Sequence, residues 1–427
     1  MRRRCLFFLQ AACISIISVY GCTVYQKPRP FHEVPFQERS QSKVNGEVRV
    51  TVAVLSDEES RQLFGVNLAG QGMQPVWIRV QNADSSPYWL MSAGLDPDYF
   101  SPLEAAYTFH SILSSSLNDK IDDQFRVMGF RNPIAPGASV SGFIFVNRDE
   151  GTKVVDIDLI SYGKTKFFTF FVPVPGIRAD YHKVDFEKLY SNDEIVNLDE
   201  GDLRTELEKL PCCATNKDGT KNGDPLNLVL IGSREDISAA FVRRGWLPAE
   251  WTHGEAVWKT IKSFLFGTRY RYSPVSPLYL YERQQDFAGQ KPRHSVHERN
   301  HLRMWLSPMR YQGKQVWIGQ ISRDIGVRFT FKTWPPVTHK IDPDVDEAMY
   351  ALLEDLIYSQ QVSKLGWVKG VGKVSRTKPR YNLTGDPYFT SGLRAVLVFE
   401  RRPVSFNEIQ RLDWEQRASS TRLKRLT

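Results

Sequence analysis

Alternation of apolar and polar residues most constrains the fold of this chain, because a period of two indicates β-strands. Every second residue over 48–54 is valine, which places these side chains on one face of a strand. Similar alternation recurs over 76–80 and 155–159, and turn residues punctuate 138–172 as in a β-meander. We therefore predict an all-β, immunoglobulin-like sandwich over residues 47–175.

The second half of the chain mixes strand and helix patterns. A buried strand is predicted over 226–231, and the helix after it has Ser233 and Asp236 as a cap pair. The strongest helix pattern runs over 343–360, with Asp342 as its predicted cap and an apolar stripe on one face. The prediction is an α+β or α/β domain over residues 224–400, which a turn-rich connector over 176–223 joins to the sandwich.

The N-terminus has the pattern of a bacterial export signal. Three arginines follow Met1, and a mostly apolar run then extends over residues 5–20. A helix needs about 20 apolar residues to cross a bilayer, so this shorter run favours a removable signal peptide over residues 1–21. An ordinary secretory signal and an uncleaved anchor are the alternatives.

Cys22 follows a segment similar to the lipid-acceptor sequence of bacterial lipoproteins. Val19 and Gly21 fit that sequence, whereas Tyr20 departs from it. We predict that Cys22 carries lipid, which would hold the protein on a membrane facing the periplasm. The polar residues 22–46 are then expected to form a flexible tether to the first domain.

Of the net charge of +8, seven units lie at the two ends of the chain. Three arginines belong to the predicted signal, and residues 401–427 carry seven basic and three acidic residues. The rest has 46 basic and 45 acidic residues, so no basic stripe supports nucleic-acid binding. Because Ser405 and Glu408 form a capping-box pattern, we predict a basic amphipathic helix in this tail, which packs on the protein or contacts anionic lipid.

Two adjacent cysteines, Cys212 and Cys213, are the only ones after Cys22. Neighbouring cysteines cannot join distant parts of a fold, so this chain is not a disulfide scaffold. Two loop thiols beside Pro211 and a vicinal disulfide are both open interpretations of the pair.

Several segments of the second domain carry a family resemblance. These segments cover residues 272–280, 290–293, 297 with 299–303, 319–326 and 338–347. Over about residues 224–400 the chain resembles the LssY C-terminal-domain family. The resemblance implies a domain of unassigned biochemistry in bacterial envelope proteins, sometimes beside phosphatidic-acid-phosphatase-type membrane domains and linked by gene neighbourhood to type I secretion. It implies no catalytic residues.

Polar residues concentrate in these same segments. A strand through His301 would place Arg303 on the same face, and Ser322 and Asp324 share a face of another predicted strand. If the two strands pair, these groups would converge on an anionic ligand or perform acid–base chemistry. The candidate catalytic residues are His297, His301, Ser322, Asp324 and His339, and the candidate ligand-binding residues are Asn300, Arg303, Arg323 and Lys340.

Purely structural roles and metal binding are the alternative interpretations of these residues. The polar cluster is equally explained by an ion-pair network that joins strands. A zinc site on His297, His301 and His339 is the weaker alternative, because no spacing fixes three ligands together. Acids at 342, 344 and 346 are typical of a helix N-terminus and do not require calcium. No motif identifies a cofactor.

Two functional hypotheses follow. The first is a membrane-anchored envelope protein that acts as a binding or assembly factor, with an anionic ligand at the polar cluster and envelope or secretion-system proteins as partners. The second is an envelope hydrolase that acts on phosphoesters or lipids through the same cluster. The absence of a nucleophile elbow, phosphate loop or zinc motif favours the first.

Overall fold

The computed structural model describes residues 25–149, 152–174, 186, 188–248, 276–292, 299–329 and 337–415. These residues form two compact units. The first unit contains the described residues 25–89, 98–149 and 172–174, and the second unit contains the other described residues. Four features of the sequence analysis lie outside the described residues: the predicted signal peptide, Cys22, a helix predicted over 255–266, and His297.

The first unit is built on a four-stranded antiparallel sheet. Its strands, in spatial order, are β1 (Gln41–Asn45), β2 (Val48–Val54), β3 (Met73–Asn82) and β5 (Ser139–Asn147). Its helices are α1 (Asp57–Phe64), α2 (Pro102–Tyr107) and α3 (Ser115–Met128). Buried aromatic side chains fill the space between sheet and helices, among them Phe64, Trp77, Phe125 and Phe143.

Two local predictions for this unit have different outcomes. The capping box of α2 is confirmed, since Glu104 N donates to Ser101 Oγ at 3.3 Å and Ser101 N donates to the Glu104 carboxylate at 3.1 Å. The flexible tether is wrong for its second half: residues 31–33 and 35–39 form 3-10 turns, and β1 follows. Phe36 is fully buried in the core, which fixes this segment to the unit.

The strands of the predicted sandwich do not stay together. A separate three-stranded sheet has the order β4-β6-β7 and lies mainly in the second unit; its strands are β4 (Trp89–Leu90), β6 (Thr152–Ser161) and β7 (Lys164–Pro173). An immunoglobulin-like sandwich is therefore not confirmed.

A ten-stranded mixed sheet organises the second unit. Its main path is β12 (Leu247–Pro248), β15 (Phe287–Pro292), β16 (Arg299–Tyr311), β17 (Lys314–Phe329), β11 (Leu228–Ile231), β22 (Leu393–Phe399), β19 (Val362–Lys369) and β23 (Gln410–Leu412). Two further strands, β18 (Val337–Ile341) and β8 (Val196–Leu198), pair with β17 and β16. Most neighbouring strands of this sheet are antiparallel. The fold of the described residues is predominantly β, with a minority of helices.

Different elements pack on the two faces of this sheet. On one face a core forms with α5 (Arg234–Arg243) and α6 (Val345–Tyr358). On the other face a second core includes Leu203 and Leu207 of α4 (Glu200–Lys209). That core also receives residues of a small sheet with the order β10 (Asn222–Pro225), β9 (Cys213–Thr215), β13 (Tyr279–Leu280) and β14 (Arg283–Gln284). A last hairpin pairs β20 (Arg380–Tyr381) with β21 (Pro387–Tyr388).

Several predictions for this unit are corrected. The connector over 176–223 contains β8, α4 and β9, which belong to the second unit. The predicted tail helix is a 3-10 turn, Phe406–Glu408, whose Ser405–Glu408 box is present, and β23 follows it in parallel with β19. Helix α6 is confirmed, but its N-cap is Asp344 and not Asp342. Cys212 and Cys213 are joined by a disulfide.

Acids at the start of α6 and just before it have protein partners. The Asp346 carboxylate accepts hydrogen bonds from Thr390 Oγ1 and Ser391 N, both at 2.7 Å. Asp342 Oδ1 accepts one from Asp344 N at 3.0 Å. These bonds account for the two carboxylates as helix and loop contacts.

The β13–β14 hairpin offers a stability test. Tyr281 and Glu282 occupy its two-residue turn with φ of 53° and 57°, a backbone conformation that favours glycine. We expect Glu282→Gly to raise the free energy of unfolding by roughly 0.5–1 kcal/mol, because the left-handed conformation costs a residue with a side chain about 1–2 kcal/mol. Urea unfolding of this variant and of Glu282→Ala checks the prediction. No gain for glycine over alanine would contradict it.

Candidate functional site

The two polar strands, β16 and β17, pair with each other, which is the condition on which the hypothesis of a shared site depends. On β16, Leu302 and Met304 face the core beneath α5 and α6, so His301 and Arg303 face the other way. Ser322 on β17 lies directly opposite His301. Asp324 follows on the same face of β17, and His301 Nε2 donates to Asp324 Oδ2 at 2.6 Å. Only 8% of His301 and 3% of Asp324 is exposed, so this pair is formed away from bulk water.

Arg303 lies beside this pair, opposite Gln320 on β17. Its Nη1 donates to Gln320 Oε1 at 2.7 Å, and its Nε donates to the Ser276 carbonyl at 3.0 Å. Among the described residues, Arg303 Nη2 finds no hydrogen-bond acceptor. Gln320 is fully buried, and its Nε2 has no hydrogen-bond partner in the described part of the chain. Two neighbouring side chains therefore each present a donor without an acceptor.

A carboxylate partly balances the Arg303 charge. Asp224 Oδ2 lies 3.9 Å from Arg303 Nη1, which is beyond a hydrogen bond. Asp224 is held in place by Asn382, whose Nδ2 donates to Asp224 Oδ1 at 2.9 Å. Burial lowers the pKa of the Arg303 guanidinium, and the charges of Asp224 and Asp324 oppose that shift. An arginine keeps its proton under such conditions, so the site retains a buried cation.

A second buried arginine lies on the same strand. Arg299 is 1% exposed, and its Nη1 donates to Gln290 Oε1 at 3.0 Å. Gln290 lies opposite His301 on β15. The polar surface therefore extends across three strands, from Gln290 through His301 to Ser322.

The structure separates other predicted residues from this surface. Asn300 and Arg323 point to the opposite face of the sheet, where Arg323 Nε donates to Asn300 Oδ1 at 3.2 Å and Nη2 to the Glu347 carbonyl at 3.4 Å. Lys340 is exposed on β18. His339 pairs through its backbone with Val327, and its side chain lies outside the described part of the chain. Among the predicted residues whose side chains the structure describes, His301, Arg303, Ser322 and Asp324 share this surface, whereas His297 and the side chain of His339 lie outside the described part of the chain.

Sequence reasoning missed five residues that form or support this surface. Gln320 was detectable, because it lies at the same alternation as Ser322 and Asp324. Arg299 and Gln290 lie within segments that carried the family resemblance, yet nothing marked them as buried. Asp224 and Asn382 are 158 residues apart, and no local pattern joins such residues.

This arrangement suits an oxyanion. An arginine fork matches the geometry of carboxylate and phosphate oxygens, and a buried amide N–H adds a second, neutral donor. The His301–Asp324 pair sets a proton donor or acceptor beside them. Within the described residues, no group of three His, Cys, Asp or Glu side chains fits a metal ion.

Comparison with known families confirms the resemblance. Residues 204–393 match the family model described as LssY C-terminus, which covers most of the ten-stranded sheet and both faces described above. The match begins earlier than the sequence segments suggested, within α4. No curated protein matches the sequence. None of the helices in the described residues is long and apolar enough to cross a membrane.

Proposed function

We propose that this protein is a membrane-anchored cell-envelope protein whose LssY-like domain binds an anionic ligand at Arg303 and Gln320. The observation that carries the proposal is a pair of donors without an acceptor in the described part of the chain: Gln320 Nε2, which is buried, and Arg303 Nη2, on a residue that is 7% exposed. A buried donor without an acceptor costs about 1–3 kcal/mol, and an oxyanion between the two would recover that cost. A phosphate or a carboxylate meets this requirement.

The charge balance supports an anion over a neutral ligand. The carboxylate of Asp224 lies 3.9 Å from Arg303 Nη1 and makes no hydrogen bond to it, so it balances the Arg303 charge only in part. A buried cation that is only partly balanced attracts an anionic group more strongly than the same cation would in water.

Calorimetric titration with inorganic phosphate, phosphomonoesters and carboxylates tests the proposal. We expect Arg303→Gln to weaken binding by roughly tenfold to a hundredfold, since a hydrogen bond to a charged group contributes about 1.5–3 kcal/mol. Gln320→Glu keeps an acceptor for Arg303 but sets a negative charge at the ligand, so it should weaken binding as well.

Arg323→Gln is the matched control, because Arg323 lies on the opposite face of the same sheet. Unchanged affinity in both Arg303→Gln and Gln320→Glu would refute the site. An equal loss in Arg323→Gln would assign binding to another surface.

The anchoring part of the proposal depends on Cys22 and the preceding export signal. With lipid on Cys22, the domain would face the periplasm and meet envelope or secretion-system proteins. Mass spectrometry of the mature N-terminus is the direct test: we expect a chain that begins at Cys22 with acyl groups attached. An unmodified Cys22, or a different first residue, would refute the anchor.

The His301–Asp324 pair favours a second candidate, a hydrolase of envelope phosphoesters or lipids. Asp324 orients the imidazole of His301, as an acid–base residue requires, and Ser322 is its neighbour on the next strand. Turnover of a panel of phosphodiester and lipid esters should then fall in His301→Gln. Equal turnover in this variant and the unmodified protein would eliminate the candidate.

A further inference from the structure

Two aliphatic side chains project from the first unit into solvent. Ile112 and Leu113 are 104% and 95% exposed, and they lie in the short loop between α2 and α3, which we call the 110–113 loop. Tyr107 at the end of α2 is 70% exposed and its ring lies 4.9 Å from that of His110. Adjacent fully exposed aliphatic residues are unusual on a surface that contacts only water.

Hydrogen bonds hold this loop in one shape. Asn118 of α3 binds Ser111 twice, accepting from its N at 2.8 Å and donating to its carbonyl at 2.9 Å. Leu113 N donates to Ser111 Oγ at 3.2 Å, and His110 Nε2 bonds to Asp122 Oδ1 at 2.8 Å. The loop backbone is therefore fixed with its two apolar side chains directed outward, so little ordering remains to be done on binding.

The loop and its immediate neighbours in the sequence carry no acidic residue, lysine or arginine, and the charged neighbour in contact with the loop is Asp122, which bonds to His110. From residue 105 to residue 118 the chain contains no Asp, Glu, Lys or Arg, although 24% of the whole sequence is charged. Protein interfaces concentrate their binding energy in Trp, Tyr and Arg, whereas leucine is under-represented among their strongest contributors. An uncharged loop with Ile and Leu at its tip fits the apolar interior of a bilayer better.

The first described residues of the chain lie in the same unit as the loop. Tyr25, three residues after Cys22, packs on the same hydrophobic core as Leu117 of α3. Gln26 N donates to the Gly65 carbonyl at 2.9 Å, so the chain enters this unit directly after the predicted lipid. Three residues span at most about 10 Å, which keeps the unit that carries the loop close to the anchoring membrane.

We propose that the 110–113 loop inserts Ile112 and Leu113 into the surface of the phospholipid bilayer to which Cys22 anchors the chain. This inference rests on the proposed anchoring and adds a second, noncovalent contact with the membrane. The contact is apolar, so it does not depend on anionic lipid or on salt.

Vesicle co-sedimentation tests the contact separately from lipidation. The mature chain from residue 22, with Cys22→Ser to prevent acylation, is mixed with vesicles of phosphatidylcholine alone. We expect measurable partitioning that 0.5 M salt leaves unchanged, and a loss of about tenfold or more in Ile112→Ser/Leu113→Ser, because each side chain loses its apolar burial. Val127→Ser, which removes a 68% exposed apolar residue of the same unit, should partition like the parent.

Three outcomes would overturn the inference. They are equal partitioning of the double variant, binding that requires anionic lipid, and self-association that the double variant abolishes, which would assign the loop to a second copy. An acylated Cys22 with no partitioning of the unacylated chain would also refute the loop contact while leaving the proposed anchoring intact.

Discussion

Replacement of Arg394 by methionine is expected to lower the free energy of unfolding by about 3–5 kcal/mol, because several buried carbonyls lose their donor together. Arg394 is fully buried on β22. Its guanidinium donates to five carbonyls, three of which follow or end α4: Leu207 at 2.6 Å, Leu210 at 3.0 Å, Pro211 at 2.6 Å, Leu226 at 2.8 Å and Lys369 at 3.2 Å. Burial lowers its pKa to about 10, so it stays charged at neutral pH.

Urea unfolding checks this prediction, with Arg380→Met as the matched control. Arg380 is exposed and donates to one carbonyl, that of Val371, so its loss should cost at most about 1 kcal/mol. Equal losses in the two variants would contradict the role of Arg394 as the donor that fixes α4 to the sheet.

A double-mutant cycle with Gly370 sharpens the test. Gly370 has φ of 132°, and a Cβ there would overlap Arg394 Nη1. Gly370→Ala should therefore be costly in the parent and less costly in Arg394→Met, where the overlap is removed. Additive effects would show that the two positions do not interact.

Replacement of Arg243 by methionine should destabilise the protein by about 3–5 kcal/mol at pH 8, because it leaves two buried carboxylates without a cation. Arg243 of α5 pairs with two acids of β6: Nη2 lies 2.6 Å from Asp158 Oδ1 and Nε lies 3.3 Å from Asp156 Oδ2. Burial, followed by the charge of Asp158, raises the pKa of Asp156 to about 7, although Arg243 acts against this. Burial raises the pKa of Asp158 too.

The sign of the pH dependence follows from these shifts. Both acids hold their proton to higher pH in the folded chain than in the unfolded chain, where an aspartate titrates near about 4. The folded state therefore binds more protons between about pH 4 and pH 7, and stability falls as pH rises through that window. Without Arg243, the free energy of unfolding should fall more steeply as pH rises through this window.

Urea unfolding of Arg243→Met at pH 5 and pH 8 checks this account. We expect the larger loss at pH 8, where the two acids carry more negative charge than at pH 5, and partial recovery when Asp158→Asn is added. Equal losses at the two pH values, or no recovery in the double variant, would contradict the proposed charge pairing.

Local sequence patterns predicted several strands of both units. The alternation around His301 correctly placed His301 and Arg303 on one face, whereas the contact of His301 with Asp324 depends on the pairing of two strands, which the alternation does not encode. The same rule does not identify Asp156 and Asp158 as buried, because their alternation with apolar residues is typical of a half-buried strand. Arg243 lies more than 80 residues away along the chain and buries them, which no local pattern encodes.

The predictions of a helical tail and of a flexible tether are wrong for a related reason. Ser405 and Glu408 do form a capping box, but the segment after it pairs with β19 as a strand, because an edge strand offers free backbone groups to residues 410–412. Phe36 in the predicted tether enters the aromatic core of the first unit. Tertiary contacts decide both segments, and polar composition alone does not.

A crystal structure of the protein soaked in phosphate tests the central claim most directly. The account predicts an oxyanion within hydrogen-bond distance of both Arg303 Nη2 and Gln320 Nε2, and its absence in Arg303→Gln crystals under the same conditions. A phosphate bound only elsewhere, with these two donors occupied by water or by a protein acceptor, would contradict the claim.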